Sequence, residues 1–157
     1  MVEFQLMKPA DYESWLRVVT KNYAEENVAA GRWTREEAMS RSEHDFASLL
    51  PDGLSTAGNY LRSIVDERSS ERVGVLWYAV RREGDRDYVF IYDFEIFEAH
   101  RRKGYGTEAL MHLDGVVRRM GLGLISLHVF AHNRAARDIY GKVGYEEKDI
   151  IMSKLLS

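Results

Sequence analysis

Apolar positions along the chain change period several times, and each change marks an element. Residues 2–7 alternate Val2, Phe4 and Leu6 against Glu3, Gln5 and Met7, the two-residue period of a strand with one buried face. Pro9 then opens a helix on which Tyr12, Trp15, Leu16 and Val19 recur at three- and four-residue spacing, a stripe that ends near Asn22 and makes Trp15 a core residue. Residues 23–33 contain Gly31 and break the pattern. Thr34 and Glu37 follow as a capping box, in which each side chain satisfies the other's backbone donor. A second helix is expected there, with Met39, Phe46, Leu49 and Leu50 inward and Pro51, Asp52 and Gly53 as its end. Residues 59–65 and 72–80 are apolar-rich runs around the polar stretch 66–71, so they read as antiparallel strands. A turn at 83–85 returns the chain into a third strand, 88–97. Trp77 and Tyr78 are neighbours on the middle strand and therefore point to opposite faces.

From residue 107 the period lengthens again. Leu110, Leu113, Val117 and Met120 mark the inner face of a helix over 107–120, and Gly121 and Gly123 close it before a strand at 124–130. A strand-helix-strand crossover implies that strands 88–97 and 124–130 are parallel and joined with a right-handed connection. Ala135, Ala136, Ile139, Tyr140 and Val143 share one face of the next helix, which Gly144 ends at the position after its cap. Residues 149–155 read as a last strand, hairpinned back. The order predicts an α/β chain whose sheet is mixed in the α+β manner, antiparallel in its N-terminal half, with helices on both faces.

Composition narrows the partners. The chain has 157 residues, a formal net charge of −3 and no cysteine. One domain over 1–157 is the expectation from length. Disulfides, thiolate metal sites and a Cys nucleophile are excluded. Basic residues are dispersed apart from one run, which does not suggest nucleic acid. No apolar run approaches the roughly 20 residues of a membrane span, and the first residues lack the regions of a signal peptide, so a cytoplasmic protein with no membrane partner is the simplest fit.

The exceptional run is Arg101, Arg102 and Lys103, followed by Gly104, Tyr105, Gly106 and Thr107 at a junction of strand and helix. A helix opening on two glycines offers free backbone N–H groups and the positive end of its dipole, which together bind an anion. Glycine at 104 and 106 permits positive φ and removes the Cβ atoms that would hold a phosphate away.

Arg101-x-x-Gly104-x-Gly106 resembles the Arg/Gln-x-x-Gly-x-Gly/Ala signature of the GNAT superfamily of acyl-CoA-dependent N-acetyltransferases. Residues 128–145 resemble the family's second block, in which Asn133 opens a helix, Ala135, Ala136 and Tyr140 lie on it, and Gly144-Tyr145 ends it. The two blocks cover about the last third of the chain; the rest matches in element order only. The resemblance implies a GNAT-like sheet whose parallel pair is splayed, with acetyl-CoA as co-substrate and no metal. Its diphosphate would sit on the loop from Arg101 to Thr107. Its pantetheine arm would pass a bulge near Glu95 and Ile96, and Asn133 would contact the coenzyme as well as capping its helix. It also implies Tyr140 as the acid that protonates the leaving thiolate. The early helices would overhang the acceptor, where Tyr23 and Trp33 stand as substrate contacts or as ordinary packing. Similar proteins frequently pair, so the resemblance admits a homodimer.

For the base, Asp93 and Glu95 lie two apart on an aromatic strand and share a face unless a bulge intervenes. Burying a carboxylate there requires a cation, several donors or a raised pKa. An ion pair, a contact with substrate ammonium and proton transfer remain alternatives for both. The acceptor is left open between small-molecule and protein amines. His128 and His132 lack a third ligand at a recognised spacing and do not read as a zinc site. Gly104-x-Gly106-x-x-Ala109 also satisfies a dinucleotide fingerprint, but strand 124–130 carries no acid for the ribose and the remaining chain is too short for a doubly wound sheet. A catalytically silent acyl-CoA-binding or sensory module is the alternative from another class.

Overall fold

The computed structural model describes residues 1–157. Four strands, β1 (Val2–Leu6), β2 (Asn59–Asp66), β3 (Arg72–Glu83) and β4 (Arg86–Ile96), pair antiparallel in sequence order, and β5 (Ile125–Leu127) adds parallel to β4. The helices are α1 (Pro9–Ala29), α2 (Arg35–Leu49), α3 (Tyr105–Arg119) and α4 (Arg134–Lys142). The mixed sheet and the parallel pair are those the sequence predicts.

Two apolar layers follow from the strand period. Tyr78, Leu76, Val89 and Ile91 pack with Leu110, Leu113 and Val117 of α3, and Ile139 and Tyr140 of α4 join this layer with Val143 just beyond its end. Trp77, Val75 and Leu61 pack instead with Trp15 of α1 and Phe46 of α2. Trp77 and Tyr78 thus serve opposite faces, as adjacent strand residues must. The capping box at α2 forms: Thr34 Oγ1 accepts from the Glu37 N–H at 3.3 Å, and Glu37 accepts from the Thr34 N–H at 3.4 Å.

Several boundaries differ from expectation for tertiary reasons. Helix α1 runs past Asn22 to Ala29, because Ala24 packs with Trp33 and Ala38 and the buried Asn27 donates to the Tyr23 carbonyl at 2.9 Å. Met39 is exposed, and Ala38, Ser42 and Phe46 form the inner stripe of α2 instead. Leu6 is exposed near the end of edge strand β1, while Met7 is buried. Strand β5 is confined to three residues where 124–130 was expected. The expected strand 149–155 is absent: residues 145–157 have no regular structure, and the outer edge of β5 is left without a strand.

Candidate active site

Pairing of β4 with β5 stops at Ile91 opposite Leu127. At that point β4 carries one extra residue, because Trp77 lies opposite Asp93 while Tyr78 lies opposite Ile91. The bulge is therefore at Tyr92, ahead of the positions near Glu95 and Ile96 that the resemblance implies. A bulge turns two successive side chains to one face. Tyr92 stacks on Trp77 at 4.5 Å, and Asp93 Oδ2 accepts from the Trp15 indole N–H at 2.7 Å on the same side. Beyond the bulge, β4 has β3 for a neighbour and an open edge toward β5.

A cleft of about 540 Å³ occupies this region between α1, α2, β4, the segment after β5, and α4. Phe94, Asn133 and Tyr140 line it, together with Tyr23, Glu26 and Phe130. Tyr23 faces the cleft, whereas Trp33 is buried under the Arg41 guanidinium, 5.0 Å above its ring. His128 and His132 bracket Phe130, edge-on at 4.9 Å and stacked at 5.5 Å.

The loop ahead of α3 has the backbone its glycines suggest, with one exception. Gly104 is left-handed at φ 86° and no side chain caps the helix. The N–H groups of Tyr105, Gly106 and Thr107 have no backbone partner; the first helical bond is from Glu108 to the Gly104 carbonyl at 3.1 Å. Gly106 has no positive φ. It is buried, and a Cβ there would lie 2.6 Å from Ile139 Cδ1, so its role is close packing of α3 on α4. Arg102 is left-handed at φ 62°, and its side chain and that of Lys103 are exposed. Arg101 folds back: its Nε donates to the Ile96 carbonyl at 2.8 Å and Nη2 lies 3.5 Å from Glu95. Tyr105 turns its hydroxyl to Asp66 Oδ2 at 2.6 Å, leaving its backbone N–H as its contribution to the loop.

The two carboxylates of β4 have separate surroundings. Glu95 is partly exposed and paired with Arg101. Burial pushes Asp93 up to about 7; the Trp15 hydrogen bond opposes the shift, and the negative charges of Glu95 and Glu26 add to it. Tyr140 is half-buried, with its ring 6.3 Å from Phe94. Burial raises its phenol above the ordinary range and the charge of Asp93 raises it further, so it is uncharged at physiological pH. Asn133 accepts from the Ala136 N–H at 3.2 Å as the cap of α4, and Ala135, expected inward, is exposed.

Glu26 is a site residue that the sequence reading missed. Val19, Asn22, Tyr23 and Glu26 form a continuous helical stripe facing the cleft, which disappears if α1 is ended at Asn22. Burial raises the Glu26 carboxyl, and His132 partly offsets this.

Residues 19–145 match the family model described as Acetyltransferase (GNAT) family. The chain belongs to this family. It is 44% identical over 151 residues to the uncharacterized N-acetyltransferase YycN of Bacillus subtilis (strain 168), covering 96% of each chain. It is 35% identical over 150 residues to YdgE of the same organism, an uncharacterized N-acetyltransferase, covering 96% of this chain and 95% of that one. A crystal structure of Bacillus subtilis YycN aligns with a TM-score of 0.93 and 41% identity, covering 100% of this chain and 99% of the other. As a GNAT protein the chain is an acetyltransferase, which displaces the dinucleotide reading of its glycines. The family's co-substrate is acetyl-CoA, and the three open amides of α3 beside Gly104 fit its diphosphate.

Proposed function

We propose that this GNAT enzyme moves an acetyl group from acetyl-CoA to a primary amine by direct transfer, with both substrates bound at once. The observation that carries this reading is the parting of β4 and β5 immediately before the bulged Tyr92. It leaves unpaired backbone along β4 for the pantetheine amides, with Tyr140 and Asn133 on the wall of the same cleft. The amides of Tyr105, Gly106 and Thr107 hold the diphosphate, flanked by Arg102 and Lys103. Arg101 supports the loop from behind through the Ile96 carbonyl.

In this reading the amine nitrogen bonds to the acetyl carbon while the carbon–sulfur bond breaks. Asp93 takes up the proton the ammonium must lose, Tyr140 gives its proton to the departing sulfur, and the second proton, shed by nitrogen as the amide forms, restores the Tyr140 phenol. Asp93 is favoured over Glu95 because Glu95 is engaged by Arg101. Free alkylamines of pKa about 10.4 are almost wholly protonated at neutral pH, so a base is needed before attack. The acceptor wall combines Tyr23, Phe90 and Tyr92 with Glu26 and Asp45, which suits a cationic amine through ring-face and charge attraction. The test is release of free CoA thiol from acetyl-CoA across a panel of diamines, amino acids, aminosugars and peptides. Release that depends on a particular amine supports the proposal; no amine-dependent release across the panel favours a silent acyl-CoA-binding module.

A further inference from the structure

The Glu26 carboxylate is half-buried in the wall of the cleft and takes part in none of the molecule's ion pairs. His132 is the one charge of the chain that opposes the effect of its burial. A carboxylate partly withdrawn from water without a paired cation carries a desolvation cost that a cationic ligand would offset. The one guanidinium on the cleft, Arg32, stands toward His128, whose pKa its charge lowers.

The cleft does not end at Glu26. Asn22 and Glu26 also line a shallower recess of about 320 Å³, whose other walls are Glu25, Ala29 and His132. Asn22, Glu25, Glu26 and Ala29 follow one another at three- and four-residue spacing, so the recess runs along one face of α1. Trp15, whose indole holds Asp93, stands on the same helix toward its other end. Between Trp15 and Glu26 the positions of α1 that line the cleft are Val19, Asn22 and Tyr23, two of them apolar or aromatic. The path from Asp93 to the recess therefore has a carboxylate at each end and a largely apolar wall between.

One ammonium cannot serve both ends. In the transfer proposed above, the reacting nitrogen surrenders its ammonium proton to Asp93, stands at the thioester carbon beside Tyr140, and ends as an uncharged amide. It leaves Glu26 uncompensated. We infer that the acceptor is a linear aliphatic diamine or polyamine, whose second ammonium rests in the recess against Glu26 and Glu25 while its methylene chain lies over Val19 and Tyr23. This assignment rests on the transfer reading of the cleft and adds a subsite for the end of the acceptor that does not react. With a pKa of about 10.4 the second ammonium keeps its proton throughout, and the Tyr23 ring beside the chain adds a face for it on the way in.

The test is calorimetric titration of the CoA-loaded protein with 1,4-diaminobutane and 1,5-diaminopentane against 1-aminobutane and 1-aminopentane. Thiol release from acetyl-CoA is followed with the same four amines. The diamines should bind about tenfold or more tightly than monoamines of equal length, the scale of one hydrogen bond between charged groups, with a like advantage in kcat/KM. Glu26→Gln should remove most of that advantage. Asn22→Lys, at an exposed position on the recess, should do the same by placing an ammonium where the ligand's would lie, and a thermal melt checks its fold. No difference between diamines and monoamines in binding, or a difference that survives both substitutions, overturns the subsite. Diamine-selective binding without thiol release from any amine keeps the subsite and removes the transfer reading. Thiol release with monoamines and diamines alike keeps the transfer reading and removes the subsite.

Discussion

The indole N–H of Trp15 donates to the Asp93 carboxylate at 2.7 Å across 78 residues of sequence, joining the first helix to the bulged strand. Trp15 is thus a core residue with a second task. It supplies the larger of two neutral donors that favour ionised Asp93 against burial, the other being the Phe94 backbone N–H.

The pH dependence follows from that pair. With Asp93 raised to about 7, the ionised base becomes available as pH passes through neutrality, so acetyl transfer should show an acidic limb near 7. Trp15→Phe removes the donor and should move the limb to higher pH; Asp93→Asn should abolish it. Stability runs the other way: a carboxyl whose pKa is raised by folding stabilises the fold below its ordinary value, and this is lost as pH rises through about 7. The melting temperature of the parent protein should therefore fall relative to Asp93→Asn between pH 4 and 7. A limb that persists unchanged in Asp93→Asn removes Asp93 as the base.

Tyr140→Phe keeps the ring against Phe94 and Tyr145 and deletes only the proton donor. Turnover should drop about 10- to 1,000-fold with acetyl-CoA affinity little changed. Calorimetric titration of acetyl-CoA beside steady-state rates separates the two, and undiminished turnover assigns the phenol a packing role.

Gly106→Ala places a methyl 2.6 Å from Ile139 Cδ1. It should cost about 1–3 kcal/mol of stability through overpacking. Ile139→Val in the same chain, which shortens the opposing side chain, should recover much of it. At Gly104 a Cβ meets nothing within 4 Å, and the cost is the left-handed φ of 86° instead, so Ile139→Val should not rescue Gly104→Ala. Thermal melts of the four variants distinguish the two glycines.

Glu26→Gln removes a cleft carboxylate and preserves its shape. With a cationic acceptor its KM should rise about tenfold, the scale of one hydrogen bond to a charged group, while the KM for acetyl-CoA stays the same. An equal change in both constants points to distortion of α1 in place of lost recognition.

Much of the fold was legible because its causes are local. The capping box of Thr34 and Glu37, the Asn133 cap, the opposed faces of Trp77 and Tyr78, and the anion-ready start of α3 each rest on residues within a few positions of one another. The resemblance in the last third of the chain named the family from the same kind of local pattern.

Determined by the sequence alone were the order and kind of most elements, since helix stripes, caps and strand alternation are short-range properties of the backbone. Tertiary structure decided which residue is extruded from β4, that α1 runs on to carry Glu26 into the cleft, that Arg101 supports the loop from behind, and that 149–155 finds no partner in its own chain. Those outcomes depend on pairings between distant segments, where the register of one strand against another, or an indole against a carboxyl, is set by packing that no local run of residues encodes.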